Sequence, residues 1–177
     1  MKNFRWSTAV IVFFLTLAVA AGIIIFRERQ LQNEPLLNRL KQFEAVETVE
    51  LQENKGVYLV SVRLAYVSDL APLYREIDRE IARALGQTSY RLEMLDRRDE
   101  TLREAYSVVH LALYEGERRG NFIEVSELIE TAMTGFNLPE HRLTVDGERI
   151  YFQARNGEYY LYAVIARRSV TEEGGPV

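Results

Sequence analysis

An uninterrupted apolar run near the N-terminus constrains this chain more than any other feature. The run extends over 21 residues, from Trp6 to Phe26, contains no charged residue, and is bounded by Arg5 and Arg27. A helix needs about 20 apolar residues to cross the core of a bilayer. The run therefore predicts one membrane-spanning anchor in contact with lipid, followed by a water-soluble part.

A cleaved secretory signal is the alternative interpretation of this run. A basic start precedes it, and Ala18-Val19-Ala20 resembles a cleavage site. The apolar residues nevertheless continue past that site to Phe26, whereas the apolar core of a signal usually spans about 7–15 residues. We therefore favour an anchor that is retained.

Positive charge near the run does not decide which side of the membrane the soluble part occupies. Basic residues flank the run on both sides: Lys2, Arg5, Arg27, Arg29, Arg39 and Lys41. A short head before a large domain is typical of a signal-anchor, which leaves the head in the cytoplasm. The lack of cysteine is compatible with an exported domain. We therefore expect a single-pass protein of the cell membrane with an extracytoplasmic soluble domain.

Composition and chain-breaking residues divide the sequence into five parts. These are a basic head (1–5), the anchor (6–26), a juxtamembrane linker with a short helix from Pro35 (27–45), a soluble domain (46–168) and a flexible tail (169–177). Residues 27–177 carry 20 Lys and Arg against 26 Asp and Glu, which is a net charge of −6. Because surfaces that bind nucleic acid are usually basic, we do not expect a nucleic-acid partner.

The soluble domain is predicted to be α+β, with the order β-β-α-β-α-α-β-β-β and antiparallel sheet. A hairpin with strands at 46–52 and 58–66 surrounds the turn-like sequence 53–56. Apolar residues then recur at helical spacing from Leu70 to Leu85, with Ser68 as the predicted N-cap and Gly86 at the end. A third strand follows around Leu92. The pattern is compatible with one six-stranded sheet or with two smaller sheets.

Two helices joined at Gly120 are predicted to follow. The first lies within residues 96–120 and has acidic residues at its start and arginines at its end, as the helix dipole favours. Asn121 and Glu124 have the spacing of a capping box, which marks the start of the second helix. Its predicted core face consists of Phe122, Val125, Leu128, Ile129 and Met133.

Residues 142–167 are predicted to form a three-stranded antiparallel meander, because Asp146-Gly147 and Asn156-Gly157 are typical of two-residue turns. These turns would place Gln153 opposite Tyr160 and Tyr151 opposite Tyr162. An outer face then collects alternate residues: Arg142, Arg149, Tyr151, Arg155, Tyr160 and Tyr162. Tyrosine and arginine are enriched at binding hot spots, so this face is the candidate binding surface for a protein, a wall polymer or a glycan. The alternative is a face of ordinary cross-strand pairs, or one that a helix covers.

The sequence shows no recognisable constellation for catalysis or cofactor binding. It lacks cysteine, a glycine-rich phosphate loop and a G-x-S-x-G nucleophile elbow. The two histidines, His110 and His141, do not have the spacing of a helical metal motif. We expect His110 to lie in the middle of the long helix, between its buried and exposed faces, and His141 to lie in a solvated loop. The prediction is therefore a protein without cofactor, metal or enzymatic activity.

The favoured function is protein binding or self-assembly in the cell envelope by a membrane-anchored, non-enzymatic protein. One alternative is a cytoplasm-facing regulator in which the helix pair and the next hairpin act like a winged helix. Against it, the second helix carries Glu124, Glu127 and Glu130 and no basic residue, so it would repel phosphate. The other alternative is an exported glycan-binding module or hydrolase that uses the tyrosine-rich face.

Overall fold

The computed structural model of the chain describes residues 15–17 and 35–167. Within these residues, no helix has both the length and the apolar character that a membrane span requires. The predicted anchor lies outside the described residues apart from 15–17, and the predicted tail lies outside them entirely. Both therefore stay predictions.

The α+β class and the predicted order of strands and helices are confirmed. The described residues 35–40 form a helix, α1, within the segment where a short helix is predicted. The elements that follow are β1 (Val46–Asn54), β2 (Val57–Leu64), α2 (Leu70–Leu85), β3 (Tyr90–Leu95), α3 (Glu100–Arg119), α4 (Phe122–Gly135), β4 (His141–Val145), β5 (Arg149–Asn156) and β6 (Tyr159–Ala166).

The six strands form two three-stranded sheets. The first has the order β1-β2-β3, and the second, β4-β5-β6, is the predicted antiparallel meander. In the first sheet β1 and β2 form the predicted antiparallel hairpin, but β2 and β3 are parallel. The prediction of purely antiparallel sheet is therefore wrong for β3. The reason is the connection, since a helix such as α2 lets the chain return and run beside β2 in the same direction.

The β5–β6 turn lies one residue later than predicted. Asn156 pairs with Tyr159, so that Gly157 and Glu158 are the central residues of the turn. Gly157 has a φ of 60°, and a positive φ at the first central position is what a type II′ hairpin turn requires.

The β4–β5 turn is displaced in the same way, with Val145 opposite Ile150. Because the β5–β6 turn lies one residue later, the pairing of β5 with β6 is shifted by two residues, and Gln153 lies opposite Tyr162 instead of Tyr160. A shift of two residues, unlike a shift of one, leaves every side chain on its predicted face of the sheet.

Two of the predicted helix caps form differently. The N-cap of α2 is Asp69 rather than Ser68, and its side chain makes no capping hydrogen bond. At the start of α4, the Asn121 amide donates to the Glu124 carboxylate (Nδ2 to Oε2, 2.8 Å). The two side chains therefore bond each other instead of the free backbone N–H groups that a capping box would satisfy.

The second sheet has a hydrophobic cluster on each face. Helices α3 and α4 cover the face that includes Ile150 and Phe152. On the opposite face, tyrosines of β5 and β6 share a cluster with residues of α1, β2 and α2. The second sheet is therefore buried on both sides, between the helical hairpin α3–α4 and the elements of the first half of the chain.

Helices α3 and α4 approach each other closely at Gly116. A Cβ atom at this position would lie 3.0 Å from Cγ2 of Val125 and 3.3 Å from the ring of Phe122. A larger residue would force the helices apart, so the absence of a side chain at Gly116 permits the close contact between them.

Candidate functional site

The three tyrosines of the predicted binding face are buried. Tyr151 and Tyr162 are each 2% exposed and Tyr160 is 6% exposed. The prediction that their rings lie on an outer surface is therefore wrong, although all three lie on the predicted face of the meander. The reason is that α2, β2 and α1 cover this face, which agrees with the alternative of a covered face.

Two of the three tyrosine hydroxyls, those of Tyr160 and Tyr162, bond to the backbone at the connection between β2 and α2. The Tyr160 hydroxyl donates to the carbonyl of Leu64 at 2.5 Å. The Tyr162 hydroxyl accepts from the N–H of Val67 at 2.7 Å and donates to the carbonyl of Ala65 at 3.1 Å. Burial raises the pKa of Tyr162, so this phenol stays protonated and able to donate. The polar ends that could have met a ligand are used within the fold.

Gln153 completes this set of contacts from the same face of the sheet. Its side chain is 3% exposed. Its Nε2 donates to the carbonyl of Val67 at 2.7 Å, and its Oε1 accepts from the N–H of Leu70 at 2.7 Å. Leu70 is the first residue of α2, so Gln153 satisfies a backbone donor that a helix start leaves free. We call Gln153, Tyr160 and Tyr162, with the backbone of 64–70, the loop clamp.

The three arginines of the predicted face are engaged in ion pairs. Arg142 pairs with Asp69 at 3.2 Å, Arg149 with Asp78 at 3.0 Å and Arg155 with Glu140 at 3.3 Å. The guanidinium groups of Arg149 and Arg155 also lie over the rings of Tyr74 and Tyr66, at 5.1 and 4.7 Å. The six residues of the predicted binding face therefore make contacts within the fold and do not form an open face.

Arg149 lies beside a cleft of about 470 Å³ between α2 and the β4–β5 turn. Its lining balances three arginines against three acids: Arg75, Arg79, Arg149, Asp78, Asp146 and Glu148. Arg75 is already paired with Asp146 (2.9 Å) and Arg149 with Asp78. This cleft therefore offers little net charge to an anionic ligand.

Asp146 is the most strongly hydrogen-bonded carboxylate of this cleft. Its Oδ1 accepts from the backbone N–H groups of Glu148 and Arg149, at 2.9 and 2.8 Å, and its Oδ2 accepts from Arg75 and from the Tyr151 hydroxyl. Burial of the carboxyl would raise its pKa, but these four donors outweigh burial and lower the pKa to about 2. Asp146 thus holds the β4–β5 turn against α2 as a charged group.

The two histidines have structural contacts. His110 is half-buried, as expected for a residue between the buried and exposed faces of the helix, and its ring lies between Tyr106 and Tyr114. His141 is not in a solvated loop as predicted but begins β4. There its ring nitrogens lie 2.9 Å from the carbonyl of Leu138 and 2.9 Å from the Glu130 carboxylate. Among the described residues, no group of three acidic or histidine side chains could hold a metal ion.

The outward surface of the α3–α4 hairpin contains a binding candidate that the sequence analysis missed. Six large hydrophobic side chains are exposed within residues 35–167, and five of them lie on this hairpin: Val108, Leu111, Tyr114, Ile123 and Leu128. Leu128, predicted to be in the core, is 55% exposed, and Leu111 is 67% exposed. The available signal was the set of apolar residues at positions 108, 111 and 114 in α3, because they fall outside its core stripe.

Three of these side chains border one groove between the two helices. The groove has a volume of about 250 Å³ and is lined by Val108, Leu111, Ala112, Leu128, Ala132, the buried Val109 and Ile129, and Glu115. Tyr114 follows Leu111 by three residues along α3, whereas Ile123 lies beside a separate cleft between α4 and β4. We call the groove lined by Val108, Leu111 and Leu128 the α3–α4 groove.

Comparison with known proteins gives no match: no family model, no curated protein and no solved structure is similar to this chain.

Replacing Tyr162 with phenylalanine should destabilise the fold. The substitution keeps the ring but leaves the Val67 N–H and the Ala65 carbonyl without their partner, and an unsatisfied buried polar group costs about 1–3 kcal/mol. Urea unfolding of the full chain in mild detergent measures the change. The matched control is Tyr114→Phe at an exposed tyrosine, which should change the free energy of unfolding by less than about 0.5 kcal/mol. Equal effects of the two substitutions would contradict the loop clamp.

Replacing Asp146 with asparagine should remove a pH-dependent part of the stability. A carboxyl whose pKa is about 2 in the fold and 3.8 ordinarily stabilises the folded state above pH 3.8, and this contribution is lost as the pH falls toward 2. The free energy of unfolding of the wild type should therefore decline more steeply than that of Asp146→Asn over this range. Denaturant unfolding at several pH values measures it, with the exposed Glu93→Gln as the control. Parallel declines in wild type and Asp146→Asn would rule out this role of Asp146.

Proposed function

We propose that this chain is a non-enzymatic, single-pass membrane protein whose folded region binds another protein. Residues 6–26 anchor it in the cell membrane, and the folded region lies outside the cytoplasm as a structural or regulatory component of the cell envelope. The binding surface is the α3–α4 groove. The tyrosine-rich face of the meander is not used, because its rings are internal.

The observation that carries the proposal is the clustering of exposed apolar side chains at the α3–α4 groove. Single hydrophobic residues on a surface are ordinary, but adjacent ones are a mark of interaction sites. Val108, Leu111 and Leu128 border the same groove and are all more than half exposed. The groove adjoins a well-packed helix pair held together at Gly116, so a partner would meet a preformed surface.

The remaining parts of the proposal rest on the sequence. The anchor is supported by the 21-residue apolar run, and the outside location by the short basic head that precedes it. The non-enzymatic character is supported by the lack of recognisable catalytic motifs and by the structural contacts of both histidines.

A photocrosslinking residue in place of Leu111 should form an adduct with the partner in the native cell. The side chain at this position borders the groove and is 67% exposed, so a bound protein would contact it. Denaturing electrophoresis and mass spectrometry of the membrane fraction detect the adduct. Adding Leu128→Ser should weaken it several-fold, because this change removes apolar area from the other wall of the groove.

The matched control for this experiment places the photocrosslinking residue at Gln87. Gln87 is also exposed but follows α2, away from the α3–α4 hairpin. We expect no equivalent adduct from this position. The same adducts from positions 87 and 111, or none from position 111, would contradict binding at the groove.

Reporter fusions after Val177 should show that the C-terminus lies outside the cytoplasm. Alkaline phosphatase, which folds only after export, should be active in this fusion, whereas a fluorescent protein that folds only in the cytoplasm should be dark. The reverse pattern would exclude the envelope location and leave a cytoplasmic binding role for the groove. Enzymatic assay and fluorescence of matched cultures provide the measurement.

A further inference from the structure

We infer that the occupant of the α3–α4 groove is a basic amphipathic helix of a partner protein. This inference rests on the proposed function and specifies the partner's chemistry. It depends on the shape of the groove and on the charge that surrounds it.

The shape of the groove suits a helix. Its walls are two packed helices, and its lining includes Ala112 and Ala132, whose small side chains would let a third backbone approach. The α3 residues that line the groove extend from Val108 to Glu115, over about 10 Å at a rise of about 1.5 Å per residue. A partner helix would therefore fill the groove with apolar side chains from about two turns, spaced i, i+3 or i+4, and i+7.

The charge around the groove favours a positively charged partner. Residues 100–135 carry seven glutamates and three arginines, a net charge of −4. Two of the arginines are already paired within α3, Arg103 with Glu100 and Arg119 with Glu115. Lysine or arginine beside the apolar positions of the partner would meet this acidic surround favourably.

Two glutamates of the hairpin are available to such a partner. Glu104 and Glu124 are exposed, each lies one helical turn before a residue that lines the groove (Val108 and Leu128), and within residues 35–167 neither has a cationic partner. Among the described residues, the hydrogen bond that Glu124 accepts comes from the neutral amide of Asn121. Cations from a bound helix would therefore form new ion pairs without breaking existing ones.

The same charge argues against two other occupants. A second copy of this chain would bring another surface of net charge −4 onto the first, and like charges across an interface disfavour association. An anionic membrane surface would be repelled by the exposed glutamates for the same reason. The apolar side chains and the acidic surround together select a helix that is both apolar and basic.

A selection experiment tests the inference with a defined probe. The probe is a displayed library of helical peptides of about 18 residues, or five turns, with leucine fixed at helical spacing and with lysine, glutamate or glutamine at the flanking positions. The target is the full chain in nanodiscs of zwitterionic lipid, after depletion of the library on empty nanodiscs. Selections against wild type and against Leu111→Ser/Leu128→Ser run in parallel.

The inference predicts enrichment of lysine-flanked peptides on the wild-type chain. Their dissociation constants should rise by about tenfold or more with Leu111→Ser/Leu128→Ser, and should rise with added salt because the contacts are charged. Glu104→Gln/Glu124→Gln should reduce the preference for lysine over glutamine. The matched control, Glu50→Gln/Glu93→Gln on the first sheet, should leave that preference unchanged.

The other outcomes separate this inference from the proposed function. Enriched peptides that need Leu111 and Leu128 but carry glutamine or glutamate would overturn the basic partner while leaving protein binding at the groove in place. Sedimentation showing dimers that Leu111→Ser/Leu128→Ser dissociates would replace the partner by a second copy. Absence of any peptide that depends on the two leucines would overturn both.

Discussion

Hydrogen bonds from the second sheet to the segment between β2 and α2 are the interaction on which this fold depends. The connection between β2 and α2 is half-buried against the second sheet, and the backbone N–H and carbonyl groups that it turns away from water would each be costly if unpaired. Tyr160, Tyr162 and Gln153 satisfy five such groups, from Leu64 to Leu70. The loop clamp therefore lets α2 start where it does and lets the first half of the chain cover the meander.

The loop clamp also determines which surfaces remain for binding. The rings of Tyr151, Tyr160 and Tyr162 contribute their area to the core, and the arginines around them join α2 and neighbouring loops to the sheet. With one face of the meander used in this way and the other covered by α3 and α4, neither face is open. The outward side of the helical hairpin is then the place where apolar side chains accumulate in contact with solvent.

Local signals in the sequence predicted most of the framework. The turn dipeptides and alternating residues of 142–167 defined a meander, and Gly86 and Gly120 ended helices where predicted. The pairing register was not predictable to the residue, because Asn156-Gly157-Glu158 allows the turn to centre on either Gly157-Glu158 or Asn156-Gly157. The parallel pairing of β3 depends on the path that the chain takes through α2 back to the sheet. The periodicity of residues within single elements does not reveal this path.

The binding candidate was less predictable for a physical reason. Tyrosine has an apolar ring and a polar hydroxyl, so the same pattern suits an exposed hot spot or a buried ring that bonds to backbone. Leu128 shows the converse: its helical spacing with Val125 and Ile129 is that of a core residue, but its side chain is 55% exposed and lines the groove between α3 and α4. Only the packing of elements distant in sequence decides both cases.

Nitration of tyrosines in the folded full chain tests the central claim most directly, namely that the tyrosine-rich face is internal and the helical hairpin is external. Tetranitromethane attacks exposed phenolate, and burial both blocks access and raises the pKa of Tyr160 and Tyr162. Peptide mapping should find Tyr114 modified and Tyr151, Tyr160 and Tyr162 spared, with all four modified after unfolding in urea. Modification of Tyr160 or Tyr162 as readily as Tyr114 in the folded chain would contradict the account.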